Sequence, residues 1–504
     1  MDMASNNVCR HLCKARHEED RLGTLSDDVL LLILGRVDLL TAARTCTLST
    51  RWRNLPWLLP EINLHVRDFL PAPRADYPTD PTDWIDFYSQ IPAQHIDQSM
   101  ASLARAARSF LRIKRSNTVA RMSVEMYLGG NYSHDIGLLV HGAIDNGMVK
   151  ELNLTIADDK APNACKDADM LQKAQDVNSF FGTYPNMLPC LTRLQLYNLH
   201  FAEGDIHHIL FDCCKQLQHL SLDHCDAGNC SVWQINAPNS SLRVLEIYYS
   251  CLKRLDLLCL PKLEQLRLDM WVHYEPPLRF GSVPSLKELF LLSDAKLEQP
   301  EFSLSQLLNG ATSIHTLNLN FQGEKLWIQP EREQLRYAFK KLRKLSIHGI
   351  YVEFDLLFTM NLLEAAPTVE IFDIEMFEHS CVKPYWLSVG AQRVQPSWKM
   401  PCFTSCSKWQ LRELQVANFS TLVGHYMSLV RAVMDHAPNL ETVLFKEFRR
   451  CKDCDKMAAM PPRVGGMFPR GKDEQETIVK QLRDNRVSSS PQIIFRSIVS
   501  TVVF

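Results

Sequence analysis

The sequence predicts an α/β protein in which a small N-terminal helical unit precedes a solenoid, a curved parallel sheet with helices and loops on its other side. Three observations lead to this fold class. The chain of 504 residues is too long for one compact core. An L-x-x-L-x-L pattern of apolar residues recurs along most of it. Near the N-terminus, residues 29–34 are apolar around the whole circumference of the helix that they predict.

The N-terminal unit, residues 18–66, is predicted to contain three short helices. Ser26 can cap the first of them, and the acidic residues that follow are placed favourably against its positive end. The second covers residues 39–46, and the third follows Ser49. Fewer than about 50 residues rarely form a stable core alone. The first helix therefore needs cover from an apolar partner or from the rest of the chain.

The segment DRLGTLSDDVLLLILGRVDLLTAARTCTLSTRWRNL, residues 20–55, resembles the F-box of plant F-box proteins along its whole length. This resemblance implies binding to a Skp adaptor, which links such proteins to a cullin scaffold. The family usually has proline where this chain has Ser26, a departure that predicts weaker rather than absent docking. The residues that the resemblance implies for adaptor binding are Leu25, Asp27, Val29, Leu30, Ile33, Leu34, Leu48 and Trp52.

Residues 67–117 are predicted to form a linker and a connecting helix. Five prolines between Pro71 and Pro92, among acidic residues, indicate an irregular surface connection. A stretch with helical spacing follows, in which Leu103 and Phe110 belong to the apolar face.

Residues 118–400 are predicted to be leucine-rich repeats, because most units start 23 to 29 residues apart. Each unit offers one short strand whose apolar face only neighbouring units can bury. Gaps of 42 residues before Leu191 and Leu411 indicate inserted loops, and the closely spaced Leu252 unit fits a strand on the return side. The units start at Val149, Leu191, Leu217, Leu242, Leu252, Leu263, Leu286, Ile314, Leu342, Val369, Leu411 and Leu440, and Val119 starts an earlier member.

The C-terminal part shows a second resemblance. Residues 411–448, LRELQVANFSTLVGHYMSLVRAVMDHAPNLETVLFKEF, are similar to the FBD domain that follows leucine-rich repeats in plant F-box proteins. Residues 401–450 are therefore expected to be an FBD-like terminal repeat region with a helix at 426–436. Residues 451–504, with a helical piece at 473–483 and a strand at 492–495, are expected to cap the solenoid.

The sequence contains no motif that argues for catalysis. It lacks a phosphate-binding glycine loop, G-x-S-x-G and H-E-x-x-H, and His207-His208 shows no matching carboxylate pattern. Sixteen scattered cysteines indicate a reducing compartment rather than a disulfide framework. A zinc site built from Cys402, Cys406, Cys451 and Cys454 is an alternative that the spacing only weakly favours. No metal, no cofactor and no enzymatic activity are expected.

The resemblance to plant F-box proteins, together with the repeats, implies the substrate-recognition adaptor of a Skp-cullin-F-box ubiquitin ligase, in which the F-box binds the Skp adaptor and the repeats bind a protein target. The alternatives are a leucine-rich-repeat interaction module outside a ligase, and a hydrolase or metal enzyme that uses the cysteine pairs. The net charge of -2 disfavours nucleic acid, and the longest apolar run is too short to cross a bilayer. A cytoplasmic or nuclear location, or both, is expected.

The target is expected to bind the row of side chains that flank the second and third leucines of each unit. These side chains alternate with the buried leucines and therefore point outward. The row contains more acidic than basic residues, which predicts a target with a basic or mixed surface. The residues predicted to contact it are Arg193, Tyr197, Glu246, Tyr248, Arg267 and Phe290.

Overall fold

The computed structural model describes seventeen stretches of the chain: residues 22–71, 87, 90–112, 118–160, 164–201, 207–226, 231–271, 275–293, 300–321, 325–351, 354–377, 398, 409–419, 424–447, 468–483, 491–497 and 501–503. Within them, a helical N-terminal unit leads into a long parallel sheet, the α/β solenoid that the sequence predicts. None of the described helices combines the length and hydropathy needed to cross a membrane.

Two α-helices and short 3-10 turns form the N-terminal unit. Helix α1 is Asp27–Leu34 and helix α2 is Leu39–Arg44. Asp38 caps α2, since its carboxylate accepts the Thr41 N–H at 2.8 Å. Ser26 occupies the N-cap position of α1, but its side chain makes no capping hydrogen bond, which corrects the expected cap.

The repeats build one parallel sheet, to which β18 alone among the described strands pairs antiparallel. The sheet follows the order β1-β2-β3-β4-β5-β7-β9-β11-β12-β13-β14-β15-β16-β17-β18 in the bounds that follow. The strands are β1 Glu61–His65, β2 Val119–Tyr127, β3 Val149–Ala157, β4 Leu191–Tyr197, β5 His219–Asp223, β7 Val244–Tyr248, β9 Gln265–Asp269, β11 Glu288–Leu292, β12 Thr316–Asn320, β13 Lys344–Tyr351, β14 Ile371–Phe377, β15 Glu413–Ala417, β16 Thr442–Lys446, β17 Gln492–Arg496 and β18 Thr501–Val503.

A second, three-stranded parallel sheet lies apart from the first. It consists of β6 Val232–Asn236, β8 Arg254–Cys259 and β10 Leu278–Ser282, with β8 in the centre. The closely spaced Leu252 unit supplies β8, which confirms its interpretation as a strand on the return side of the coil.

The helices that connect the strands are α3 Ala93–Leu111, α4 Gly130–Asp145, α5 Asp167–Thr183, α6 Leu304–Leu307, α7 Leu335–Ala338, α8 Met360–Ala365, α9 Gly424–His436 and α10 Lys472–Arg483. The gap before Leu191, expected to be an inserted loop, contains the 17-residue helix α5. The gap before Leu411 lies mostly outside the described residues.

The first strand of the repeat sheet begins earlier than the sequence indicates. Strand β1 pairs in parallel with β2 along its full length, although its residues were assigned to the N-terminal unit. Helix α3, the connecting helix that the sequence predicts, buries Leu103 and Phe110 in the repeat core and therefore packs as part of the repeats. We therefore propose a boundary at Pro60 between the N-terminal unit and the repeats.

One apolar core extends through the repeats from Leu39 to Phe495. The leucines of the pattern supply it: Leu194, Leu220 and Leu245 are fully buried at equivalent positions of successive strands. Because the strands pair in register, each leucine stacks on the leucine of the next unit. This stacking explains why the pattern predicts a solenoid.

Several strands end in a residue with left-handed backbone conformation. Asn198, His224, Tyr249 and Met270 follow β4, β5, β7 and β9 with φ between 49° and 58°. The N–H of Asn198, for example, donates to the Asp223 carbonyl at 3.0 Å, and the other three make the corresponding bond to the next strand. These inter-repeat hydrogen bonds compensate a conformation that is rare for large side chains.

Candidate functional site

Helix α1 has two apolar faces, and only one of them is buried within the described part of the chain. Leu30 and Leu34 are 0% and 2% exposed, whereas Val29, Leu32 and Ile33 are 39%, 71% and 38% exposed. Positions three and four residues apart share a helix face. The three exposed side chains therefore form a continuous apolar stripe.

The N-terminal unit exposes three further apolar residues, Leu22, Val37 and Leu48. Half of the large apolar side chains that are exposed in the described part of the chain lie between residues 22 and 48. Soluble proteins seldom expose contiguous apolar patches unless the patch binds something. We define the N-terminal apolar surface as Leu22, Val29, Leu32, Ile33, Val37 and Leu48.

The repeats contact a different side of the N-terminal unit. Leu39 belongs to the repeat core, and the ring of Trp57 lies 4.3 Å from that of Phe110 on α3. The unit keeps a separate small core, composed of Leu30, Leu34, Ala42, Trp52, Leu55 and Leu59. The repeats therefore fix the unit in place, and the stripe on α1 keeps its exposure.

The residues expected to bind the adaptor divide into three groups. Val29, Ile33 and Leu48 are exposed apolar residues. Leu30, Leu34 and Trp52 form part of the small core, against which the half-buried Leu25 packs, and Asp27 pairs with Arg51 at 2.7 Å. Leu32, the most exposed residue of the stripe, is not among the residues that the resemblance implies for adaptor binding. Its spacing of three residues from Val29 was the signal that could have found it.

The second candidate surface is the sheet face opposite the leucine core, which we call the open face. Its central row aligns one residue from each of nine successive strands through the parallel register. The row consists of Gln195, Ser221, Glu246, Arg267, Phe290, Asn318, Ser346, Asp373 and Gln415. The register places Glu246, Arg267 and Phe290, three residues predicted to contact the target, side by side.

Two of the predicted target anchors, Tyr197 and Tyr248, are buried and do not protrude from the open face. Tyr197 is 5% exposed and its hydroxyl accepts a hydrogen bond from Gln195. Tyr248 is 7% exposed and lies under the guanidinium of Arg267, 5.3 Å from its ring centre. Arg193 is exposed and Phe290 is half-buried.

Charges on the open face pair with each other. His219 contacts Glu246 at 2.7 Å, Arg267 contacts Asp269 at 2.8 Å and Lys446 contacts Asp373 at 3.2 Å. Burial raises the pKa of Glu246, but the hydrogen bond and charge of His219 outweigh it and hold that pKa below its usual range. Arg267 and Lys446 thus offset part of the acidic excess.

A histidine-carboxylate pair that the sequence analysis missed lies on a π-helical turn, His208–Cys213. The Nδ1 of His208 lies 3.0 Å from Asp212, four residues later, and its Nε2 lies 3.6 Å from the Cys213 sulfur. Within the described ranges no three histidine, cysteine or acidic side chains form a metal-binding group. Cys402, Cys406, Cys451 and Cys454 lie outside the described residues.

A family model and two proteins of Arabidopsis thaliana are similar to this chain. The family model described as At1g61320/AtMIF1, LRR domain, covers residues 180–463. An Arabidopsis thaliana protein named as F-box/FBD/LRR-repeat protein At3g49030 is 24% identical over 56% of this chain and 65% of its own length. The F-box/FBD/LRR-repeat protein At5g53840 from the same plant is 36% identical over 13% of this chain and 15% of its own length.

The chain belongs to the plant F-box/FBD/LRR-repeat family. The comparisons confirm the predicted family and agree with the solenoid. The match spans just under two thirds of the length of At3g49030 and a much smaller part of At5g53840. Membership in the F-box/FBD/LRR-repeat family therefore identifies the architecture, while partners and activity require the surfaces described above.

Proposed function

We propose that this chain is the substrate-recognition subunit of a Skp-cullin-F-box ubiquitin ligase. In this proposal the N-terminal apolar surface binds a Skp adaptor and the open face of the repeat sheet binds the protein to be ubiquitinated. The two-faced helix α1 is the observation that carries the proposal. A helix that buries one apolar face in its own unit and exposes another is typical of a docking element.

The stripe of Val29, Leu32 and Ile33 supplies apolar surface whose burial would favour docking. Burying one such side chain contributes roughly 1.5–3 kcal/mol when it leaves water completely. Three neighbouring residues with at least a third of their surface exposed can therefore supply a substantial part of a docking free energy. Leu48, which is 66% exposed, adds to the same type of contact.

In this proposal, some of the expected adaptor-binding residues contact the adaptor directly and others support the contact surface. We assign Val29, Leu32, Ile33 and Leu48 to direct contact, and the buried residues of the small core to support. Asp27 belongs to the supporting group through its ion pair with Arg51. The names of the Arabidopsis relatives support an F-box role at low identity.

The chain acts without catalysing a reaction itself in this proposal. It holds a target lysine near a ubiquitin-charged enzyme supplied by other subunits, so that the transfer becomes effectively intramolecular. The alternative, an interaction module outside a ligase, shares the repeat surface and lacks the adaptor contact. Adaptor binding therefore distinguishes the two.

The test is a pull-down of a Skp adaptor with the full chain and three variants. Leu32→Asp and Ile33→Asp place a charge in the contact and should reduce adaptor binding at least tenfold, because the charge loses its water there. Leu138→Asp is the matched control, since Leu138 is 56% exposed on α4 in the repeats. It should bind like the wild type.

Leu30→Asp gives a complementary result, because Leu30 is fully buried in the small core. It should lose binding by unfolding the N-terminal unit, visible as faster amide exchange in α1. Ile33→Asp should leave that exchange unchanged. Full adaptor binding by Leu32→Asp and Ile33→Asp would refute the docking surface, and no adaptor binding by the wild type would favour the module outside a ligase.

A further inference from the structure

A cavity of about 160 Å³ lies where strands β2, β3 and β4 end and helices α3, α4 and α5 begin or pass. Tyr127, Asp158 and Tyr197 line it from the strand side, and Asp176 lines it from α5. A single water molecule needs roughly 10–15 Å³ on this measure. The cavity is therefore large enough for a group of several heavy atoms.

The lining of the cavity combines an apolar wall with an excess of carboxylates. Ile96, Ile156 and Leu199 supply apolar surface. The carboxylates and the ammonium group of the lining belong to Asp97, Asp158, Asp159, Asp176 and Lys173, four acidic residues and one basic residue.

Lys173, the basic residue of the lining, forms an ion pair with one of these carboxylates. Its ammonium pairs with Asp158, which is 4% exposed and also accepts hydrogen bonds from Asn198 and, at 3.2 Å, from the Lys160 N–H. This buried network fixes the turn after β3. Asp159 is exposed and Asp176 is half-buried, so both remain accessible from the cavity.

Two residues in the cavity wall, Tyr127 and Asp159, have raised pKa values. Burial raises the pKa of Tyr127, and the nearby carboxylates of Glu125, Asp159 and Asp158 raise it further. Partial desolvation of the Asp159 carboxyl group raises its pKa, and the hydrogen bond and charge of Asp158 raise it further. Neighbouring carboxylates contribute to both shifts after burial, and an added cation would offset their negative charge.

We propose that this cavity binds the side chain of a lysine presented by the protein target, with its ammonium between Asp159 and Asp176 and its methylene stem along the apolar wall. The inference rests on the proposed function insofar as the repeats bind a protein. The cavity adjoins the open face through Tyr197, whose side chain lines it. Tyr197 therefore contributes to target recognition as a wall of this cavity.

A lysine side chain fits the lining better than a neutral or acidic group. Lys173 pairs with one carboxylate, and the remaining carboxylates attract a cation. An alkyl stem can pack against the apolar wall and leave water. A lysine side chain has both an alkyl stem and a compact ammonium group with three hydrogen-bond donors. A free alkylamine shares this chemistry and is a separate outcome of the test.

The test uses the full chain and isothermal titration with three small probes. Nα-acetyl-lysine N-methylamide represents the target side chain, the norleucine analogue lacks the ammonium, and n-butylammonium represents a free amine. We expect the lysine probe to bind at least tenfold more tightly than the norleucine probe. Equal binding of these two probes would refute the proposal, and binding of n-butylammonium alone would replace the target lysine by a free amine.

Variants locate the site. Asp159→Asn and Asp176→Asn should each weaken the lysine probe about fivefold, the upper range for a partly exposed ion pair. Asp473→Asn removes the same charge from an exposed position on α10 and should bind like the wild type. Unchanged binding in both cavity variants would refute the assignment. Ile33→Asp should leave probe binding unaffected, so a failure of adaptor docking is distinguishable from a failure of this site.

Discussion

The guanidinium of Arg51 reaches back across 24 residues to Asp27, where its Nε donates to the carboxylate at 2.8 Å. The same group donates to the carbonyl of Gly23 at 2.7 Å and to the carbonyl of Leu25. One planar side chain thus joins the turn at residues 50–54 to the turn that precedes α1. This clamp orients the helix that carries the exposed stripe.

Replacing Arg51 by alanine should loosen α1 without affecting the repeats. Hydrogen bonds to charged groups contribute about 1.5–3 kcal/mol when buried, and partial exposure reduces the expected loss to about 1 kcal/mol. Lysine should restore little, since a point charge cannot replace the planar fork. Hydrogen exchange of the α1 amides measures the effect. Arg53→Ala, at an exposed neighbouring position, is the control. Equal exchange in both variants would contradict the clamp.

Two glycines of helix α4 should respond to alanine in opposite directions. A Cβ on Gly137 would lie 2.4 Å from the ring of Tyr184, whereas a Cβ on Gly142 meets no atom within 4 Å. Gly142→Ala should stabilise the protein by about 0.5–1 kcal/mol through helix propensity. Gly137→Ala should destabilise it by about 1–3 kcal/mol, because the packed rings must move. Urea unfolding compares the two, and a gain in stability for both would contradict the tight packing.

Half-buried His65 should make stability depend on pH. Its Nδ1 accepts a hydrogen bond from Arg67 at 3.1 Å, so Nε2 carries the proton and donates to Ser123 at 2.9 Å. Burial and the charge of Arg67 lower the pKa of His65 from 6.5 to about 3. Between these pH values the unfolded chain binds a proton that the folded chain does not. Stability contributed by neutral His65 is therefore lost as pH falls below 6.5.

The measurement compares the wild type with His65→Gln by urea unfolding at pH 7.5 and pH 5.5. The wild type should lose about 1.4 kcal/mol more than the variant between the two conditions. Other titrating groups are common to both proteins and cancel in the difference. Equal losses would show that His65 is protonated in the folded state at pH 5.5.

The hydroxyl of Tyr426 should stabilise the FBD-like region. Tyr426 is 1% exposed on α9, and its hydroxyl lies 3.1 Å from the carbonyls of Ala417 and Asn418 and 3.3 Å from the Met376 N–H. Tyr426→Phe leaves buried backbone groups without this partner and should cost about 1–3 kcal/mol. Tyr337→Phe is the control, because Tyr337 is 73% exposed. Thermal unfolding should separate the two variants, and equal melting temperatures would exclude this role for the hydroxyl.

The repeat pattern allowed much of the fold to be predicted. Each unit has one apolar strand face, and only an adjacent unit in register can bury it, so the spacing of the leucines determines the solenoid. Helix α9, the terminal strand β17 and the return strand β8 were also predicted from the sequence. A helix with two apolar faces was likewise evident from residues 29–34, because helical spacing relates positions within one turn.

Tertiary structure alone decided which residues remain available for contact. Tyr197 and Tyr248 lie on the outward side of their strands, yet neighbouring side chains cover them, in the case of Tyr248 from the next repeat. Leu30 and Ile33 are equally apolar in sequence, but only Leu30 meets the small core. A local pattern determines the direction of a side chain, whereas its burial depends on residues brought to it from tens of positions away.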